Sequence, residues 1–290
     1  MKVGRVHGID LYINGWFIFQ LSLFFVAGIL DKGLILFAVV LLHELAHTVT
    51  AIRMGVKVLE IELLPFGGVA RLGSDLALNT KKEIIVALAG PLSNLVLIGL
   101  ALGMRNCSFW DEELGRFFIQ SNIMLALFNM LPALPLDGGR VLRAYIAPWM
   151  GLKQATYLCT AMGQAWAVLI TALATLGLMI GISGLDLLIL GLFIFYAATK
   201  EKSAAPYLFV RQLTQKKREL AESGVMPAET IVTLENVPLR EVSKTFVPQK
   251  FHLVLLLNEE MKYKALLSET EVVDALLTNG MDYPVGRIVK

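Results

Sequence analysis

At 290 residues, with 56% hydrophobic residues and a mean hydropathy of +0.65, the chain is too apolar for a soluble globule and implies several membrane spans. A net charge of +2, with no basic stripe carrying interleaved aromatics, argues against a nucleic-acid partner. The two cysteines, Cys107 in a polar connection and Cys159 in an apolar run, form neither a disulfide framework nor a metal-site spacing.

Charge is unevenly spread, since half of the 24 acidic and half of the 26 basic residues lie after residue 199. That asymmetry predicts a membrane part over 1–199, a linker helix over 200–224 and a small α/β unit over 225–290. Residues 1–10 are β-tolerant and read as an irregular edge strand, with His7 as an interfacial histidine. The apolar run that follows lacks a small-residue cleavage site, so it is expected to be a retained first span over about 11–30, not a signal peptide. Asp31, Lys32 and Gly33 are expected to form a tight turn.

Span 2, over 33–52, carries LLHELAHTVTAI. At about 3.6 residues per turn, His43 and His47 share a face and both imidazoles can reach one metal ion. Glu44 lies about 100° round the helix, where a carboxylate can act as general base on a water without being a ligand. This is the H-E-x-x-H logic of zinc peptidases: two ligands, a base and an open position. Three ionisable side chains at membrane depth are costly, which favours function over a polar cluster satisfied by neighbouring helices.

Residues 54–82 read as strands, with Pro65 and Gly67-Gly68 turning the chain. Their free edge can accept an extended peptide by strand addition, or the hairpin can serve packing alone. In span 3, over 83–104, Gly90 and Pro91 are expected to let another backbone approach, while Ser93 and Asn94 offer polar groups to the bundle. Residues 105–116 form a polar connection, and span 4, over 117–136, ends in FNMLPALPLDGGR. Pro132 and Pro135 break that helix, and Asp137-Gly138-Gly139 is expected to turn at or near membrane depth.

Zinc with two histidines and an open position needs a third ligand, commonly a carboxylate. Glu44 is assigned as base, and Asp31, Glu83 and Asp186 sit at span ends with water available. Asp137 is the remaining candidate; its alternative is a cap on the turn. Asn129 can orient a substrate backbone or bond across helices. With the N-terminus in the cytoplasm, Lys2, Arg5, Arg53, Lys57, Arg71, Lys81, Lys82, Arg140, Arg143 and Lys153 fall on the cytoplasmic side. Only Lys32, Arg105 and Arg116 fall opposite, as the positive-inside rule expects. His43 then lies about 15 Å from the cytoplasmic end of span 2, ground that Asp137 reaches from the end of span 4. Span 5 is expected over 155–180 and a short span 6 over 186–199, with Gln164, Trp166 and Tyr196 as ordinary interhelical or interfacial residues. The tail alternates strand and helix, and His252 fits a buried strand position.

With both motifs read, residues 1–199 resemble the site-2 protease family of intramembrane zinc metalloproteases. The matching residues are the run from His43 to His47, Phe66, Gly67 and Gly68, then Ala89, Gly90, Pro91 and Asn94, and the run from Asn129 to Gly139. The resemblance implies that His43, His47 and Asp137 bind Zn2+ and that Glu44 activates water. A helical substrate ties up its carbonyls, so an extended one is needed, with Phe66, Gly67, Gly68 and Asn129 as expected contacts. The implied fold is a polytopic α-helical membrane protein of about six spans with a small membrane-proximal sheet.

The tail resembles a single CBS repeat, a family in which a G-x-x-T-x-x-D stretch contacts the ribose of an adenine nucleotide. Ala265, Ser268 and Glu271 stand at those positions, so ATP or another adenine nucleotide at Ser268 and Glu271 is an expectation weakened by replacement of the glycine and the aspartate. CBS repeats work in pairs, so one repeat implies a homo-oligomer. A six-span core followed by one repeat is similar to a sporulation group in the family. That implies a membrane-associated pro-sigma factor (pro-sigma-K) as substrate and membrane proteins as inhibitors. It also implies a multi-pass protein with both termini cytosolic, in the mother-cell membrane around the forespore. Two rivals stand beside this reading. A membrane metal transporter leaves Glu44 unexplained, and a non-catalytic CBS-containing membrane sensor predicts nucleotide binding without zinc.

Overall fold

The computed structural model describes residues 2–6, 9–13, 15–56, 58–64, 67–72, 76–106, 110–181, 185–246 and 250–289. It divides into two compact units, Met1–Ala144 with Cys159–Thr199, and Tyr145–Leu158 with Lys200–Lys290.

The first unit opens with strands β1 (Lys2–Val6) and β2 (Ile9–Ile13), then helices α1 (Gly15–Val26) and α2 (Leu30–Arg53). Leu11–Ile13, expected at the start of a span, instead pair in parallel with Ile61–Leu63 of β3 (Val58–Leu64), which satisfies their backbone before the helix begins. β4 (Gly67–Leu72) returns antiparallel to β3 and closes the sheet order β1-β2-β3-β4. Gly67 and Gly68 are therefore the first paired residues of β4, opposite Leu64 and Leu63, and not the turn. Asp31-Lys32-Gly33 is the first turn of α2, because the reversal happens earlier. Gly28 takes φ +70°, Gly28 N–H donates to Phe25 and Ile29 N–H to Phe24. Gly55, at φ +72°, ends α2 the same way: its N–H donates to Ile52 and the Val56 N–H to Ala51.

α2 buries Gly33, Val39, His43, His47, Thr48 and Ala51 while exposing Leu34, Leu36, Leu42, Leu45, Val49 and Ile52. α3 (Thr80–Met104) repeats the pattern, with Glu83, Val86, Ala87, Gly90, Pro91, Asn94 and Ala101 inside and Leu92, Leu95, Val96 and Leu100 outside. α4 (Glu112–Asn129) starts on Asp111, whose carboxylate accepts from the N–H groups of Glu113 (2.9 Å) and Leu114 (2.8 Å). It stops at Asn129, short of the expected 136, since Pro132 and Pro135 cannot continue the bond ladder. α2 packs against α3, α4 and β4.

α5 (Asp137–Met150) was not expected: Asp137 opens a helix where a turn was read. α6 (Leu152–Met179) follows, and α7 (Leu185–Ser223) runs unbroken for 39 residues. The expected short span and separate linker are thus one helix, because the Lys, Glu, Gln, Arg and Ala residues after Thr199 are strong helix formers. Among the described residues, α2, α3 and α6 are long and apolar enough to cross a membrane. Gln164 donates to Thr199 Oγ1 at 3.0 Å, bridging α6 and α7, and Tyr196 is exposed.

The second unit carries a three-stranded sheet, β5 (Ala228–Leu234), β6 (Phe251–Leu257) and β7 (Tyr263–Ser268), with β5 parallel and β7 antiparallel to the central β6. α8 (Leu239–Lys244) and α9 (Glu269–Asn279) pack with it around Leu239, Val242, Phe246, Val254, Leu256, Leu267, Val272 and Val285. Strand period two puts His252, Val254 and Leu256 on the covered face of β6. His252 is buried, as read from sequence, and its N–H and Nδ1 both meet Glu269 Oε2, at 3.0 and 2.8 Å.

Candidate metal centre

His43 and His47 stand one turn apart on α2, on the face turned to α3, with ring centroids 4.7 Å apart and planes at 83°. Space for two imidazoles comes from Gly90 of α3, where any Cβ would overlap both rings. What approaches Gly90 is thus a pair of side chains, not the backbone expected there.

Asp137 arrives from elsewhere in the chain. The loop after α4 is pinned to α6, since the Leu134 N–H donates to the Cys159 carbonyl at 3.1 Å and Gly163 leaves room for the Leu134 carbonyl. α5 then folds back against that loop. Gly138 faces the Met130 and Leu131 carbonyls, and Gly139 faces the Ala133–Leu134 backbone, each in a space that a Cβ would fill. The D-G-G run is therefore a close-approach device that aims Asp137 at α2.

The three side chains meet. His43 Nε2 lies 3.2 Å and His47 Nε2 3.1 Å from Asp137 Oδ2, and the two nitrogens are 3.1 Å apart. All three residues are buried. The other ring nitrogens are occupied: His47 Nδ1 meets the Val86 carbonyl at 2.7 Å and His43 Nδ1 meets Asn94 Oδ1 at 2.5 Å. Both are acceptors, so each Nδ1 carries the proton and each Nε2 presents a lone pair to the centre. Two nitrogen lone pairs and a carboxylate oxygen facing one another call for a cation. A tetrahedral zinc with ligands at about 2.0–2.1 Å spaces them about 3.3 Å apart. The donor set and its triangle fit zinc.

Glu44 is half-buried on α2, next to His43 in the chain and within electrostatic reach of Arg140 and Asp137. The remaining expected contacts are not gathered there. Asn129 is the last residue of α4, and its amide donates to the Leu125 carbonyl on its own helix at 3.1 Å. Phe66 lies outside the described residues, as do His7 and Cys107, while Gly67 and Gly68 sit in β4. Ser268 and Glu271 form the capping box of α9: Ser268 N–H and Oγ both donate to Glu271 Oε2 at 2.7 Å, and Glu271 N–H donates to Ser268 Oγ at 3.3 Å.

Sequence reasoning missed three supports. Glu83, read as a span-end residue with water available, is buried and paired with Arg143, whose Nε donates to Glu83 Oε1 at 3.0 Å and whose Nη2 reaches the same oxygen. Glu83 precedes Val86 by one turn and Arg143 follows Asp137 on α5, so the pair ties the helix braced against His47 to the helix that begins with the carboxylate. The Val86 carbonyl leaves no sequence trace. Asn122, in the apolar QSNIMLALFN, does leave one: an amide at span depth.

The sequence profile of peptidase family M50 matches residues 33–110 and 111–173. A putative zinc metalloprotease, sll0528, of Synechocystis sp. is 30% identical over 274 residues, covering 85% of this chain and 70% of the relative. Stage IV sporulation protein FB of Bacillus subtilis is 32% identical over 127 residues, covering 44% of this chain and 43% of the relative. The solved site-2 protease from Methanocaldococcus jannaschii superposes with a TM-score of 0.57 at 27% identity, over 70% of this chain and 94% of that one. The chain spans between 43% and 70% of the length of the curated relatives it matches.

Proposed function

The chain belongs to peptidase family M50, and from that membership we propose that it is an intramembrane zinc metalloprotease of the site-2 type. The observation that carries the reading is the convergence of His43 Nε2, His47 Nε2 and Asp137 Oδ2, from two distant segments, at 3.1–3.2 Å. His43, His47 and Asp137 would hold the ion, with Glu44 as general base. When bound, zinc would supply Lewis acidity toward a carbonyl and a water of lowered pKa. A carboxylate oxygen of Glu44 takes the proton from the attacking water and delivers it to the leaving amine. The substrate enters extended. β4, paired among the described residues with β3 alone and packed beside α2, supports strand addition near Phe66, Gly67 and Gly68. Asn129, at the mouth of the loop leading to Asp137, is the proposed substrate amide.

The finer reading is a multi-pass protein of about six spans with both termini cytosolic, acting near the cytosolic face. Its domains are a protease part over 1–199 and a CBS-like regulatory part over 225–290, with the C-terminal half of α7 as the linker over 200–224. A sporulation pro-sigma factor, pro-sigma-K, is its substrate in the membrane around the forespore, supported by the similarity to a sporulation protein. Membrane inhibitors and a homo-oligomer built through the C-terminal unit belong to the same proposal. An adenine nucleotide there would have to displace bonds that Ser268 and Glu271 already make with each other.

Co-expression with tagged pro-sigma-K, wild type against Glu44→Gln, tests the reaction and the substrate together by gel mobility. A shorter product from the wild type alone is expected. Cleavage by the Glu44→Gln protein would overturn the base assignment, and absence of zinc from the purified wild type would overturn the metalloprotease reading.

A further inference from the structure

Each ligand histidine must carry its ring proton on Nδ1, and the two histidines reach that state by different routes. His47 Nδ1 donates to a backbone carbonyl, Val86, at 2.7 Å, which fixes its tautomer without help. His43 Nδ1 meets a side-chain amide, Asn94, at 2.5 Å, and an amide can present either its oxygen or its NH2. The choice is settled farther out. Asn94 Nδ2 donates to Asn122 Oδ1 at 2.8 Å, and Asn122 Nδ2 donates to the Phe118 carbonyl at 2.9 Å. Phe118 offers only an acceptor at that point, so the Asn122 NH2 faces it and the Asn122 oxygen faces Asn94. The Asn94 NH2 is then committed to Asn122, leaving its oxygen for His43. Both asparagines are fully buried, where an amide group left without a hydrogen-bond partner is costly.

We propose that Asn122 is a positioning residue of the metal centre: through Asn94 it holds His43 in the Nδ1–H tautomer whose Nε2 can bind zinc. The inference rests on the zinc reading above. With Asn122 gone, the Asn94 amide is free to rotate and offer its NH2 to Nδ1, favouring the Nε2–H tautomer, which has no lone pair for a metal. The relay also crosses from α2 through α3 to α4, so two of its three hydrogen bonds join helices as well as setting the tautomer, and the third anchors Asn122 within α4.

The test separates the two roles. Zinc affinity of the full chain in detergent is measured by competition with a chromophoric chelator. Loss of an outer partner typically costs 10–100-fold, so Asn122→Leu is expected to weaken zinc by about that factor. Asn122→Ala, which adds no bulk, serves if the leucine variant does not fold. Asn122→Asp, protonated in this dry setting, can accept from Asn94 and donate to Phe118, and is expected to retain zinc. In the double variant Asn94→Asp/Asn122→Leu, a carboxylate presents oxygen to His43 whichever way it turns, so affinity is expected to recover. A purely structural amide predicts no recovery there. Unchanged affinity in both Asn122→Leu and Asn122→Ala, or no recovery in the double variant, would overturn the proposal. Nitrogen-15 shifts of the His43 ring in metal-free protein report the same tautomer without zinc. A wild type with Nδ1–H that binds no zinc would sink the metalloprotease reading and leave the relay standing, whereas an unchanged ring in Asn122→Ala would do the reverse.

Discussion

The unit that holds the cluster buries an unusual number of polar side chains, His43, His47, Glu83, Asn94, Asn122, Asp137 and Arg143, beside small apolar ones such as Val39, Ala51, Val86 and Ala87. Leu92, Leu95, Val96 and Leu100 of α3 point outward. The C-terminal unit hides mostly larger apolar side chains, Leu239, Val254, Leu256, Val272 and Val285, with the His252–Glu269 pair beside them, and shows pairs such as Lys244–Glu241 and Lys250–Glu229. One chain thus carries two solutions to two solvents. Lipid is as apolar as leucine, so helices in it gain little by burying leucine and are held by close packing and interhelical hydrogen bonds. In water, apolar burial dominates. The buried polar groups that join helices of the first unit therefore include those that build its site, while the apolar core of the second is unconnected with any chemistry described.

The largest expected effect breaks chemistry without breaking the fold. Glu44→Gln is expected to lower cleavage of a model substrate by about 10²–10⁴-fold with zinc content unchanged, since it removes a base and no ligand. Asp137→Asn is expected to lower zinc content as well. Metal analysis beside the cleavage assay checks both, and loss of zinc in Glu44→Gln would contradict the assignment. Next in size is the Glu83–Arg143 pair. Arg143→Met alone removes the ion pair from a buried carboxylate, at a cost of about 3–5 kcal/mol, whereas Glu83→Met/Arg143→Met is expected to regain part of that. Thermal midpoints in detergent give the order: the single variant well below wild type, the double between them.

Much of the site was legible, and the rest shows what a sequence cannot display. HELAH sets His43, Glu44 and His47 by helix period alone, and the restriction of ionisable groups at membrane depth singled out Asp137. Gly138 and Gly139 were read as a turn because glycine signals turns. Their actual reason is the backbone of Met130–Leu134 passing against them, a tertiary fact. Glu83 was read as wet because it begins a helix, and its partner lies 60 residues away. α7 was split because composition changes at Thr199, although charge and helix propensity are independent properties.

The two units also differ in how leucine behaves. Leu256 of β6 is fully buried in the apolar core, so Leu256→Ala is expected to cost about 2–5 kcal/mol, read as faster hydrogen exchange of the β6 amides. Leu95 of α3 is 58% exposed, so Leu95→Ala is expected to leave the thermal midpoint nearly unchanged in detergent. A large effect of Leu95→Ala would mean that another protein surface, not lipid, covers that face.

The smallest expected effect lies in the capping box of α9. Ser268→Ala removes the hydroxyl that accepts from Glu271 N–H, at a cost of about 0.5–2 kcal/mol. The same contact carries a pH signature. The Ser268 backbone N–H, then its hydroxyl, hold the Glu271 carboxyl below its ordinary value of 4.5. A depressed carboxyl contributes stability that is present above 4.5 and lost as pH falls through its folded value. Opening of the C-terminal unit, followed by exchange of β6 amides, should therefore grow easier below about pH 4.5 in the wild type, and part of that slope should vanish in Ser268→Ala. The backbone N–H survives the substitution, so the slope is expected to flatten but not to disappear. Complete loss would assign the shift to the hydroxyl alone, against the order of contributions stated here.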